Sequence, residues 1–374
     1  MTSRVSTYES LSDFAPDWLT PPGESIQDLL EQRSWTQAEL ATRTGFTPKH
    51  ISELIKGHTG LTEDAAFKLE RVLGGSARFW LNLESQFREQ IARNKDRETL
   101  SAAAAWLKEL PLADMIRFGW IEKIADTPAQ VQAALTYFNV ASVAAWQEQY
   151  AKPVAAYRAH QKLLRTAPAV STWLRQGEIQ AAKLDCRSYD AERFRAALQQ
   201  VRSLSQDPDP KSFLPKLQSL CALAGVAVAL APAPKGCPVS GASRWLSSHH
   251  ALILLSLRGK TDDKFWFTFF HEAGHILKHG KRLVFLDIFR EDGLDPKEEA
   301  EADDFARDWL IPQQDYQAFV KRHDFSESSI RRFAATQHIA PAIVLGRLQY
   351  EKRLHWNSAL GKSLTVHFHW PHED

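Results

Sequence analysis

The spacing of apolar residues divides the chain into parts with different predicted secondary structure. Up to residue 204 apolar side chains recur at intervals of three and four, as in 191–204, and this period predicts amphipathic α-helices. The pattern then changes to short apolar runs bounded by Pro, Gly and polar residues, which predict strands at 226–230, 241–246 and 251–257. Helical spacing returns afterwards. We therefore expect a mostly α-helical protein with a small sheet in its C-terminal part.

Turn residues and prolines refine the prediction for the C-terminal part. The polar residues 247–250 predict a hairpin between the second and third strands, and 282–286 predict a further short strand. The aromatic, apolar segment 265–280 is typical of a buried helix. A second helix is expected from Pro296, which suits a first turn, to the residue before Pro312.

Residues 37–55 have the spacing of a helix-turn-helix. Gly45 supplies the positive φ of the tight turn, and the small Ala41 and branched Ile51 let the two helices pack closely. Thr47 is a suitable N-cap for the second helix. Such a helix can lie in the major groove of DNA.

Outward-facing polar side chains predict how this motif would contact DNA. The residues expected to face the DNA are Gln37, Thr47, Lys49, His50, Ser52 and Lys56. Those near the start of the second helix would contact base edges, whereas Gln37, in the preceding helix, would contact the phosphate backbone or a base. The alternative is a plain helical bundle whose exposed Lys and His side chains are solvated.

Residues 21–90 resemble the Xre/HigA-type antitoxin and repressor family. The resemblance is carried by Thr36-Gln-Ala-Glu-Leu-Ala, by Gly45, by Ile51-Ser-Glu-Leu-Ile-Lys-Gly and by Gly74-Gly-Ser-Ala-Arg-Phe-Trp-Leu-Asn-Leu. It implies a five-helix domain that forms a homodimer on a palindromic DNA operator. In some members of that family the domain also binds a ribonuclease toxin.

The segment 265–280 contains His271, Glu272 and His275 in the order His-Glu-x-x-His. On a helix, residues four apart face the same way, so the two imidazoles could hold one Zn²⁺ ion while a water occupies an open position. Glu272 is then placed as the general base that takes a proton from this water. The alternative is a chance match, but a buried helix rarely contains two His and a Glu unless they are paired or bind a ligand.

A third metal ligand is expected from the helix that begins at Pro296. Its candidate carboxylates are Glu298, Glu299, Glu301, Asp303 and Asp304. Glu299 is the predicted ligand, because helical spacing places it on the apolar face of this helix. That face is formed by Phe305, Ala306, Trp309 and Leu310.

Other polar residues near the predicted metal site are expected either to support a ligand or to be solvated. Asp303 lies one turn after Glu299 and is predicted to accept a hydrogen bond from a ligand histidine. Glu298 and Glu301 point away from that stripe and are predicted to be solvated. His279 is too far along the helix to complete the same site, so it is not expected to be a ligand.

Residues 215–355 resemble the ImmA/IrrE metallopeptidase family. The resemblance is carried by His271-Glu-Ala-Gly-His, by Glu299-Ala-Glu-Ala-Asp-Asp-Phe-Ala and by the Leu-Ile-Pro that ends at Pro312. It implies a zincin fold whose Zn²⁺-dependent peptidase cleaves repressors. Zincins commonly bind the substrate peptide as an added strand along a sheet edge.

Composition and charge restrict the remaining possibilities. A hydrophobic share of 44% in 374 residues is sufficient for two or three domains with their own cores. Because the sequence contains neither a long apolar run nor a signal peptide, we expect a cytoplasmic protein without a membrane partner. The 3 cysteines are widely spaced and indicate neither a disulfide framework nor a cysteine zinc site.

Together these observations predict three segments with two activities. A helix-turn-helix domain is expected at 20–90, a helical connector at 91–206 and an α+β zincin-like domain at 207–374. The expected function is a DNA-binding transcriptional regulator carrying a Zn²⁺-dependent endopeptidase, whose protein substrate is a repressor or an antitoxin. The alternative is a non-catalytic antitoxin or repressor in which the zincin-like domain is a sensor or a structural metal module.

Overall fold

The computed structural model describes residues 21–152, 166–256, 260–280, 285–288 and 296–368. Most of these residues are helical, and four strands form one small sheet. The chain separates into two compact units that divide after Ala102. The prediction of a mostly helical protein with a small sheet is confirmed. No helix within these ranges is long and apolar enough to cross a membrane.

The N-terminal unit is a five-helix domain. Its helices are α1 Pro22–Arg33, α2 Gln37–Thr44, α3 Pro48–Ile55, α4 Glu63–Leu73 and α5 Ala77–Ala102. The hydroxyls of Thr36, Thr47 and Thr62 cap α2, α3 and α4 by accepting a backbone N–H from the third residue after each. Gly45, with φ of 72°, makes the tight turn between α2 and α3. The predicted helix-turn-helix is therefore confirmed as a fold.

Helix α5 is longer than the sequence pattern predicts. The charged residues after Arg88 continue the helix, because Glu, Lys and Arg are good helix formers and can pair one turn apart. For example, Arg93 Nη2 lies 2.6 Å from Glu89 Oε1. The predicted boundary at residue 90 therefore falls inside a helix, and the two units divide after Ala102 instead.

Several helices of the C-terminal unit precede its sheet. After a 3₁₀ turn at Ala103–Lys108 come α6 Leu112–Arg117, α7 Thr127–Phe138, α8 Val143–Trp146 with a π-helical turn at Gln147–Ala151, α9 Ala167–Ala181, α10 Ala191–Leu204 and α11 Pro210–Ala222. Trp173 of α9 packs on one face of the sheet and Phe194 of α10 belongs to the core on the other. A sheet with two apolar faces needs cover on both. The segment predicted as a connector thus supplies part of the C-terminal core.

The sheet consists of β1 Val226–Leu230, β2 Val239–Ser247, β3 His250–Leu255 and β4 Phe285–Ile288, in the order β1-β3-β2-β4. Strands β1 and β3 are parallel, while β2 is antiparallel to both of its neighbours. The predicted hairpin is confirmed, with Ser247 opposite His250. Of the predicted strand segments, 257 and 282–284 lie outside the described residues.

Two helices that pack together follow the hairpin. The later helices are α12 Asp262–Lys278, α13 Pro296–Leu310, α14 Gln313–Val320, α15 Glu327–Gln337, α16 Pro341–Tyr350 and α17 Leu360–Leu364. Gly274 of α12 allows the close approach of α13, because a Cβ at this position would lie 3.3 Å from Ala302 Cα. Ala302 and Ala306 are buried. This contact determines which carboxylates of α13 reach α12.

Candidate functional site

Two histidines of α12 point into one buried cluster. His271 and His275 are separated by one helical turn and are 3% and 0% exposed. Their Nε2 atoms lie 3.0 Å apart. The two imidazoles therefore present the same nitrogen to the same point, as two ligands of a single ion would.

A carboxylate of α13 completes this cluster. Glu299 Oε2 lies 3.4 Å from His271 Nε2, and Glu299 Oε1 lies 3.2 Å from His275 Nε2. The potential ligand atoms of the three residues all lie within 4.8 Å of one another. Two imidazole nitrogens and one carboxylate oxygen are a donor set found in catalytic zinc sites. The residues present therefore fit a zinc ion.

The protonation states also suit a metal ion. Burial lowers the pKa of His275, which favours the neutral imidazole with its free lone pair. Burial by itself raises the pKa of Glu299, but contacts with His271 and His275 outweigh it and hold the pKa at about 2. Metal ligands must be neutral imidazoles and ionised carboxylates. The cluster favours these states.

Asp303 lies beside the outer nitrogen of His271. Its Oδ1 is 3.0 Å from His271 Nδ1, on the side of the ring opposite Nε2. If Nε2 binds a metal, Nδ1 carries the proton and donates to this carboxylate. The structure therefore brings together all four residues that the sequence assigned to metal binding and its support.

His279 and Glu301 also contact the cluster, although the sequence pattern assigns neither of them to it. His279 Nδ1 is 2.9 Å from His275 Nδ1, and His279 Nε2 is 3.2 Å from Glu301 Oε2. Glu301, which is predicted to be solvated, is 43% exposed, and it also contacts His279. The register of α13 alone does not contain its contact with the last turn of α12. A third histidine at the same four-residue interval was the available signal.

Glu272 lies between α12 and strand β2. It is 0% exposed. A Cβ on Gly241 of β2 would lie 2.8 Å from Glu272 Oε1 and 2.5 Å from Thr268 Cγ2. The carboxylate therefore fits against the strand only because residue 241 has no side chain.

The second helix of the helix-turn-helix presents a polar face. Ile51 and Leu54 are buried on its inner side, while the side chain of Lys49 is 85% exposed. Thr47 is exposed, but its hydroxyl already accepts the N–H of His50 at 3.1 Å as a helix cap. The ring of His50 packs against Phe46, with centroids 4.6 Å apart.

The other predicted DNA contacts lie around this helix. Gln37, the first residue of α2, and Ser52 are partly buried, and Lys56 is exposed just after α3 ends. Lys56 is therefore at the opposite end of α3 from Thr47. Thr47, Lys49 and His50 therefore lie together at the start of α3.

The N-terminal unit is similar to known proteins. The helix-turn-helix family profile matches residues 26–80. The HTH-type transcriptional regulator YddM of Escherichia coli is 36% identical over 64 residues, which are 17% of this chain and 68% of YddM. Virulence-associated protein I of Dichelobacter nodosus is 28% identical over 81 residues, or 21% of this chain and 74% of that protein.

Among solved structures, the antitoxin HigA of Pseudomonas aeruginosa with the higBA promoter is 25% identical. The match covers 21% of this chain and 87% of that one, with a TM-score of 0.21. YddM is similar enough, over enough of its own length, to assign a family. Through its N-terminal unit, the chain belongs to the helix-turn-helix transcriptional regulators.

Proposed function

We propose that the protein is a DNA-binding regulator whose C-terminal unit is a zinc-dependent endopeptidase, acting on a protein substrate such as a repressor or an antitoxin. The observation that carries the proposal is the buried cluster of His271, His275 and Glu299, with ligand atoms within 4.8 Å of one another. Buried histidines are costly unless they are paired or bind a ligand, and these two converge on one carboxylate that is itself only 33% exposed.

The proposed partner of the N-terminal unit is operator DNA. Family membership supports this assignment, as does the exposed polar start of α3, where Lys49 and His50 lie. Proteins of this kind commonly bind two half-sites as dimers, so a homodimer on a palindromic operator is part of the proposal. A toxin bound by the same unit is a further proposed partner, on the basis of the resemblance to antitoxins.

In the proposed peptidase, His271, His275 and Glu299 would hold zinc, and Asp303 would fix the ring of His271. The chemistry supplied at this site would be Lewis-acid activation of a water and of the substrate carbonyl. Glu272 would accept the proton of that water on its carboxylate and pass it to the leaving amine. Its buried position between α12 and β2 keeps bulk water away from this transfer.

Two observations favour the non-catalytic alternative. Glu272 is 0% exposed, and β2, the strand beside it, is already paired on both edges by β3 and β4. A regulator that uses the metal as a structural element or as a sensor needs neither access to Glu272 nor a free strand edge. Turnover therefore has to be measured separately from metal binding.

Metal analysis combined with a cleavage assay tests the proposal. The full-length protein should contain about one zinc per chain by elemental analysis and should cleave one of the neighbouring gene products. Glu272→Gln should keep the zinc and lose cleavage, because an amide cannot accept the proton of the water. The exposed Glu109→Gln is the matched control and should keep both.

The outcomes separate the two functions. Wild-type protein that contains zinc but cleaves none of these products supports the sensor or structural alternative. Protein that binds no zinc overturns the metal site, and full cleavage by Glu272→Gln overturns the assignment of the base.

A further inference from the structure

We infer that His279 and Glu301 are positioning residues that orient His275 for metal binding through a continuous line of hydrogen bonds. The inference rests on the proposed zinc site. It concerns two residues outside the ligand set and gives each a defined hydrogen-bonding role. It also explains why a third histidine follows the first two at the same interval.

With a metal on His275 Nε2, the direction of each hydrogen bond in the line is defined. His275 presents Nε2 to His271 and Glu299, and its Nδ1 lies 2.9 Å from His279 Nδ1. When Nε2 of a neutral imidazole binds a metal, the proton is on Nδ1. His275 Nδ1–H must therefore donate, and His279 Nδ1 must accept.

The same logic fixes the tautomer of His279. A neutral imidazole that accepts at Nδ1 carries its proton on Nε2. His279 Nε2 lies 3.2 Å from Glu301 Oε2, an acceptor when the carboxylate is ionised. Glu301 therefore selects the tautomer in which His279 can accept a hydrogen bond from His275. In this way the carboxylate of Glu301 acts on the ligand His275 through the imidazole ring of His279.

The backbone holds this line in place. His279 is the C-cap of α12, and its N–H donates to the carbonyl of His275 at 3.0 Å. Its side chain is 4% exposed, so water does not compete freely for its nitrogens. Lys278 Nζ donates to the carbonyl oxygen of Glu301 at 3.4 Å, which ties the end of α12 to α13.

The arrangement excludes His279 as a ligand of the same ion. Its Nδ1 faces the outer nitrogen of His275, not the side where Nε2 meets Glu299. Each ligand histidine thus has its own support: Asp303 contacts His271 directly, and Glu301 acts on His275 through His279. Outer partners of this kind fix the ring orientation of metal ligands, and their loss typically weakens metal binding by about 10- to 100-fold.

Zinc affinity of full-length variants tests the inference, measured by competition with a chromophoric chelator. His279→Leu removes the acceptor from a buried position and should weaken zinc binding by about 10- to 100-fold. His279→Asn places an amide oxygen near the position of Nδ1 and should restore affinity to within about threefold of wild type. The matched control is the exposed His338→Asn, which should bind zinc as wild type does.

Glu301→Ala supplies a second test that does not disturb a buried position. Its side chain is 43% exposed, so the variant should fold, and it should bind zinc at least about threefold more weakly. Asp304→Asn, in the same helix and 67% exposed, is the control for a lost charge. Cobalt absorption adds a spectroscopic readout, since a reoriented His275 ring changes the ligand-field bands in His279→Leu but not in His279→Asn.

The results distinguish this inference from the proposed function. If wild-type protein binds zinc and the Leu, Asn and Ala variants all match its affinity and cobalt spectrum, the positioning role is wrong while the metal site stands. Equal losses in His279→Leu and His279→Asn also overturn it, because they indicate packing and not acceptor chemistry. If the wild-type protein binds no zinc, the proposed function itself is wrong.

Discussion

Replacing Gly241 by alanine tests the close contact between strand β2 and the metal helix α12. The added methyl group would lie 2.5 Å from Thr268 Cγ2 and 2.8 Å from Glu272 Oε1. Both distances are shorter than van der Waals contact, and both partners are buried. Either the strand or the two α12 side chains must therefore move.

The size of the effect follows from two opposing contributions. Gly241 is not among the glycines with positive φ, so its backbone accepts alanine, and the loss of unfolded-state freedom stabilises the variant by about 0.4–1 kcal/mol. Overpacking a buried position costs about 1–3 kcal/mol. We therefore expect a net decrease of about 1–2 kcal/mol in the free energy of unfolding of the C-terminal unit.

Urea unfolding of the metal-free protein, followed by circular dichroism, measures this decrease. Gly361→Ala is the matched control in the same unit, because a Cβ there meets no described atom within 4 Å. It should be neutral or slightly stabilising. The metal ligands are not displaced in Gly241→Ala, so zinc affinity should fall less than hydrolysis. An unfolding midpoint for Gly241→Ala equal to that of Gly361→Ala would refute the contact.

Three further predictions follow from other contacts. Glu299→Ala should strongly lower zinc occupancy and Asp303→Ala should lower it less, because Glu299 lies near both Nε2 atoms whereas Asp303 meets Nδ1 of His271; the reverse order in elemental analysis would contradict the ligand assignment. Lys49→Ala combined with His50→Ala should weaken operator binding in gel-shift titrations at matched salt without changing zinc content, and an unchanged titration would favour the solvated bundle. Burial raises the pKa of Asp262 from 3.8 to about 7 in the folded protein, so the unfolded state loses this proton at lower pH than the folded state does. The free energy of unfolding should therefore fall, by up to about 4 kcal/mol, as the pH rises from about 4 to about 7. Asp262→Asn should remove that fall, and urea titrations at several pH values that give parallel curves would contradict the buried acid.

The sequence is sufficient for features that depend on one element at a time. Thr36, Thr47 and Gly45 determine caps and a turn within a few residues, so the helix-turn-helix follows from local chemistry. The period of a single helix is enough to select each of His271 and Glu299, and the structure places His271 Nε2 3.4 Å from Glu299 Oε2. Periodicity gives the correct face whenever that face packs on one neighbour.

Features that depend on two elements could not be predicted in this way. The contact of Glu301 with His279 requires the angle and offset at which α13 crosses α12, and the register of either helix alone does not contain them. The contact of Gly241 with Glu272 likewise joins a strand to a helix. Helix α5 continues beyond residue 90 because its charged side chains favour a helix. These residues have no apolar stripe from which the sequence alone would predict that helix.

The position of β4 has a consequence for any substrate that binds as an extended strand. Strand β2 lies next to Glu272, and β4 already pairs with its outer edge, Gly241 opposite Asp287. An incoming peptide competes for these backbone groups with a strand of the same chain, which its covalent connection keeps near β2. A peptide that binds weakly does not displace such a competitor at cellular concentrations. Selection of the substrate would then depend on how strongly it pairs with β2, before any bond is cleaved.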